Sequence, residues 1–244
     1  MDESGSRQDI LRVAGLAGIL FGSLLILQMV FYRLAGADVY TDSFESTLVQ
    51  ILDHRTIFTL SGVAGALGVA CTLPAMLGFL YTFDRGEDRP FFYVACAFVM
   101  LSALLLIDAY AHYGNLVGTA LDYTHGAAPR DVVVLNGDTI GDQFEILQFA
   151  GLVSFGVGLL IVAWLLSRSE VYQKPLAWLT FFVGVSSFFF TIVPALFIAG
   201  RLVWAFSFGA TWFRASIPQM ATVRVAGPFV ASVTTDDPSS FSAD

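Results

Sequence analysis

Charge is scarce in this 244-residue chain: 13% of its residues are Asp, Glu, Lys or Arg, against 56% hydrophobic residues. A soluble domain carries about 25% charged residues, so a soluble globular class is set aside. Base is scarcer than acid, with 12 Lys+Arg against 20 Asp+Glu, and Lys174 is the one lysine. That balance argues against nucleic acid as a partner. Cysteine is limited to Cys71 and Cys96, both inside apolar runs and neither part of a CxxC. No disulfide framework follows, and both read as packing residues. There are three histidines, none of them after His125, and no HExxH helix. The last apolar stretch has no lysine for a retinal Schiff base. The glycines of 151–158 lie inside an apolar run, without the preceding strand that a phosphate loop needs.

Long apolar runs separated by short polar stretches fill the rest, as in a polytopic helical membrane protein. The runs are Val13–Tyr32, Ile57–Thr82, Phe91–His112, Phe144–Leu166 and Leu176–Ala199. A span needs about 20 residues, whereas the core of a signal peptide has about 7–15. The first run is therefore expected to be a retained span. Ala14, Gly18 and Gly22 in it, and Ser61, Gly62, Gly65 and Gly68 in the second, are small residues suited to close helix packing. Pro74 is placed to kink the second run. After Ala199 the sequence predicts a short interfacial or re-entrant helix carrying Trp204 and Trp212, with a sixth span as the alternative. Arg201 then marks the membrane surface by snorkelling. Its alternative role is to line an anion path or pair with an outer acid.

Residues 33–56 and 113–143 read as polar, acidic loops. With the N-terminus inside, the inner segments hold Arg7, Arg12, Arg85, Arg89, Arg168 and Lys174, and the longer outer loops only Arg33, Arg55 and Arg130. This is the positive-inside distribution. The expected fold is all-α, a transmembrane helical bundle of five or six spans. Residues 1–214 form its one domain and 215–244 a tail that ends disordered. Its expected place is the cell membrane, with the N-terminus cytoplasmic.

The outer end of the third run reads DAYAHYGNLVGTALDYTH, from Asp108 to His125. Asp108 and His112 are one helical turn apart and share a face. His125 could return from the loop as a third ligand, with Asp53 and His54 behind them. An oxygen and two imidazoles suit copper or zinc. The Asp-x3-His-x12-His spacing resembles the copper ligands of the C subunit of copper membrane monooxygenases. That resemblance implies copper on Asp108, His112 and His125. The family sets its last histidine in a Thr-Pro-x-His context, where this chain has LDYTH. Over residues 10–200 the order of spans is similar to a widespread family of uncharacterised prokaryotic multi-spanning membrane proteins. The features that carry it are a span after DHR, the segment LVSFGVGLLIVAWLLSRS, a Lys-Pro turn and a span opening LAWLTFFVG. The resemblance implies a helical bundle and no particular activity.

Three functions follow as expectations. The first is an integral membrane protein of unknown activity, serving as a subunit or accessory protein beside other membrane subunits or copies of itself. The second is a metal-binding membrane protein or enzyme with its copper or zinc at the outer face. The third is a small-solute transporter or channel. No other cofactor is implied, and the lipid bilayer is the one partner common to all three. No internal inverted repeat is visible, which weakens the third.

Overall fold

A computed structural model describes residues 3–36, 44–83, 87–126, 128–169 and 172–216. These form seven α-helices and, among the described residues, no strand. The helices are α1 (Glu3–Ala35), α2 (Phe44–Asp53), α3 (Arg55–Phe83), α4 (Arg89–His125), α5 (Arg130–Arg168), α6 (Lys174–Ser186) and α7 (Pro194–Ser216), with a 3-10 turn at Ser187–Phe189. Five of them, α1, α3, α4, α5 and α7, are long and apolar enough to cross a membrane. The tail expected from residue 215 lies, from 217 on, outside the described residues.

Antiparallel neighbours close a ring in the order α1, α3, α4, α5, α6, α7 and back to α1. Glycines set the tightest seams. A Cβ on Gly15 would lie 2.5 Å from the backbone nitrogen of Phe213, and one on Gly209 would lie 2.8 Å from that of Ile19. The main chains of α1 and α7 therefore touch, as small-residue faces allow. The glycines of α3 are also covered from within, Gly62 and Gly65 by Tyr113 and Tyr110 and Gly68 by Leu24. At one end, Arg168 pairs with Asp88 at 3.6 Å and the indole of Trp212 donates to the Tyr172 hydroxyl at 3.0 Å.

Three expectations need correction. The stretch 113–143 is a helical hairpin, not a loop. α4 has 37 residues and α5 has 39, or about 55 Å and 58 Å at 1.5 Å per residue, against a hydrocarbon core of about 30 Å. The extra length holds because its inner face is apolar at alternating spacings of four and three: Ala109, Tyr113, Leu116, Ala120 and Tyr123, all buried. α5 answers with buried Val133, Gly137 and Phe144. The hairpin turns at Gly126, in the left-handed region at φ 65°, which glycine adopts without strain.

The stretch 33–56 holds α2, which lies against this hairpin. Phe44 covers Gly137, Leu48 and Ile51 are fully buried, and the Tyr123 hydroxyl donates to the Glu45 carboxylate. Arg130 sits 5.3 Å over the Tyr123 ring. Removing that hydroxyl in Tyr123→Phe costs the α2 latch a charge-assisted hydrogen bond. Hydrogen exchange should then quicken about tenfold or more across α2 while the membrane helices stay protected. Equal exchange in both proteins would show that the latch contributes nothing.

The last apolar stretch is ordered opposite to the expectation: the short helix comes first and the long one second. α6 runs antiparallel to α5 until Phe190 meets Phe149, with ring centroids 6.4 Å apart. Phe149 is nineteen residues from Arg168, or about 28 Å. The chain then reverses before Pro194. The amides of Ile192 and Val193 donate to the Phe189 carbonyl, and those of Leu196 and Phe197 to that of Val193. A reversal bonded in this way leaves few backbone groups bare, as an apolar surrounding demands. α7 then carries Arg201 into the middle of the ring.

Candidate functional site

The position of Arg201 overturns its reading as a surface marker. It is 6% exposed. Thirteen residues, about 20 Å, separate it from Arg214 on the same helix. Phe21, whose ring faces it, lies about 14 Å along α1 from Arg12 and about 18 Å from Arg33. The guanidinium is therefore held at mid-depth by the core of the bundle.

The wall around it is aromatic. The guanidinium carbon is 5.1 Å from the ring centroid of Phe21, 5.2 Å from that of Phe155 and 5.1 Å from that of Phe197. These rings come from α1, α5 and α7, so three elements converge on one cation. Among the described residues no carboxylate pairs with Arg201, and its Nε has no hydrogen-bond partner. Desolvated cation–π contacts contribute about 2 kcal/mol each, so three give about 6 kcal/mol at most. An arginine in mid-bilayer costs from about 3 to more than 10 kcal/mol. The rings offset part of that cost and offer Nε–H no acceptor.

A small cleft opens beside the guanidinium, between α1 and α3. Phe21, Leu25, Gln28, Gly65, Gly68 and Tyr110 contribute to its walls together with Arg201. It has room for about one water, whose centre has about 10 Å³ to occupy. Gln28 and Tyr110 are half-buried, while the other lining residues are buried, so these two form the mouth. The Gln28 amide and the Tyr110 hydroxyl are the polar groups that line the cleft beside the Arg201 guanidinium. Position 65 must be glycine for this geometry, because a Cβ there would lie 2.4 Å from Cζ of Tyr110. Ser61 donates to the Gln28 carbonyl at 3.2 Å and ties the two helices together at the mouth.

The acid and histidine residues lie elsewhere. Asp108 is exposed and His112 half-buried, one turn apart on α4. His125 does not return to them, because α4 runs straight through it. The thirteen residues from His112 to His125 place them about 20 Å apart along the axis. Asp53 and His54 are exposed at the junction of α2 and α3. Among the described residues, no three of His, Cys, Asp and Glu gather to hold a metal ion. The continuity of α4 keeps His125 apart from Asp108 and His112.

Gln28 and Tyr110 were legible only in part. Gln28 is a lone amide in the apolar run LLILQMVF, and Tyr110 reads equally well as an interfacial aromatic. No protein-family model matches the chain, and no curated protein or solved structure matches it either.

Proposed function

We infer that this chain is a multi-pass protein of the cell membrane that binds a small anionic solute at Arg201 and passes it through the bundle. The observation that carries this reading is the buried guanidinium with no acidic partner among the described residues, lining a polar-mouthed cleft. Ionisable groups at such depth mark solute paths. The glycine faces suited to close helix packing are occupied inside the chain, by α7 on α1 and by Tyr110 and Tyr113 on α3. The direct test is anion flux into liposomes that contain the purified protein. Flux should exceed that of empty liposomes, and Arg201→Met should abolish it. Equal flux in wild type and Arg201→Met would end the transport reading.

The orientation follows from the basic residues. Arg12, Arg89, Arg168, Lys174 and Arg214 gather at one end of the bundle, which suits a cytoplasmic face. Counting α6 with its 3-10 turn as a sixth, shorter pass brings both termini to that face, in keeping with the contact of Phe213 on Gly15. Reporters fused after Asp244 and before Met1 should both report cytoplasm. A periplasmic or extracellular signal from either one would refute this topology.

A further inference from the structure

We propose that the ligand of the Arg201 cleft is a single small monovalent anion of halide size, held by Arg201, Tyr110 and Gln28, with Gln28 and Tyr110 as its gate. The proposal rests on the reading of Arg201 as an anion site and narrows its chemistry. Size comes first. The cleft takes about one water, so a multi-atom carboxylate or phosphate solute exceeds it unless the helices part. Charge comes second. One guanidinium balances one negative charge, and a divalent anion would leave an uncompensated charge in the bundle, which is costly.

Approach comes third. The guanidinium is planar, and Phe21, Phe155 and Phe197 crowd within 5.2 Å of its central carbon. Nε has no partner among the described residues but is closed off from water, so an ion in the cleft meets the guanidinium where it lines the wall. A compact ion needs no bidentate geometry there. Donors come fourth. Tyr110 O–H and the Gln28 amide can both turn a hydrogen toward the cleft, so they complete a shell of donors with the guanidinium. They stand at the mouth on α4 and α1, so an entering ion passes between the same two side chains that then hold it.

Both signs of charge stand near the mouth. Arg33 and Arg55 are exposed on the two helices that frame the cleft, and Asp53 and Asp108 are exposed close to Arg55 and Tyr110 in the chain.

The test is thermal unfolding of the full chain in detergent, begun in gluconate buffer. Chloride, bromide, nitrate, acetate and sulfate are then titrated at constant ionic strength, with Arg201→Met run in parallel. The Arg201→Met curve removes general salt effects, under which sulfate would outrank chloride. Chloride and bromide should raise the midpoint in wild type alone, with the logarithm of concentration once above half-saturation of the site, and acetate and sulfate should be inert. Tyr110→Phe should weaken the chloride half-saturation about tenfold, the loss of one hydrogen bond to a charge. If Tyr110→Phe does not fold, Gln28→Met serves in its place with the same expected weakening. A response to acetate or sulfate equal to that to chloride overturns the halide-size assignment and leaves the anion site standing. No response to any anion overturns both. An unchanged half-saturation in the variant that is tested removes its residue from the shell.

Discussion

Arg201→Met should make the protein more stable in halide-free gluconate buffer and at the same time abolish its response to chloride. The two effects have one cause. In wild type the folded state holds a desolvated cation whose Nε–H has no acceptor among the described residues. Methionine is flexible and apolar and can fill the space between Phe21, Phe155 and Phe197. Replacing buried ionic groups by apolar ones of similar volume is neutral or stabilising by about 1–4 kcal/mol. For a chain of this length that corresponds to a rise in Tm of about 2–16 °C at most. Saturating chloride should close the gap, because a ligand bound only by the folded state stabilises in proportion to the logarithm of its concentration. A variant that unfolds, or loses several degrees in gluconate, would mean that the cation is a structural centre for the three rings.

Gly209→Ala should be strongly damaging for so conservative a substitution, and Gly118→Ala should act in the opposite direction. Alanine is the better helix former by about 1 kcal/mol, so propensity favours both changes. Gly118 has nothing within 4 Å of the new methyl group, and its variant should gain up to that amount. At Gly209 the methyl would lie 2.8 Å from the backbone nitrogen of Ile19 and 3.0 Å from the carbonyl oxygen of Gly15. Backbone cannot turn aside as a side-chain tip can, so α1 and α7 must separate. Overpacking of this kind costs about 1–3 kcal/mol or more, a fall in Tm of about 2–12 °C. Separation also draws Arg201 away from Phe21, so chloride should bind more weakly in whatever folds. Thermal unfolding of both variants, with and without chloride, measures both effects. A Gly209→Ala protein as stable as Gly118→Ala would contradict the close α1–α7 seam.

The membrane helices were legible because each is a run of apolar residues of spanning length, a signal that survives without alignment. The projecting hairpin was not read, because hydropathy reports the solvent around a helix and not whether the helix exists. Its signal was present in a different form. Ala109, Tyr113, Leu116, Ala120 and Tyr123 repeat at four and three, the spacing of paired helices. The exposed Asp122, Asp131, Asp138 and Asp142 between such positions are what a helical pair carries in water. The site failed on a boundary. Ending a span at Ala199 puts Arg201 at the surface, whereas starting one at Pro194 puts it in the core. Proline favours the first turn of a helix, and that rule would have chosen the second. The spacing of Asp108, His112 and His125 suggested a metal, but a spacing gathers ligands only if the chain turns back between them.

The most direct test of an anion held at Arg201 is a crystal grown or soaked in bromide and measured at the bromine absorption edge. The expected result is an anomalous peak at hydrogen-bonding distance from the Arg201 guanidinium, between Tyr110 and Gln28. Contradiction would be a map with no peak there.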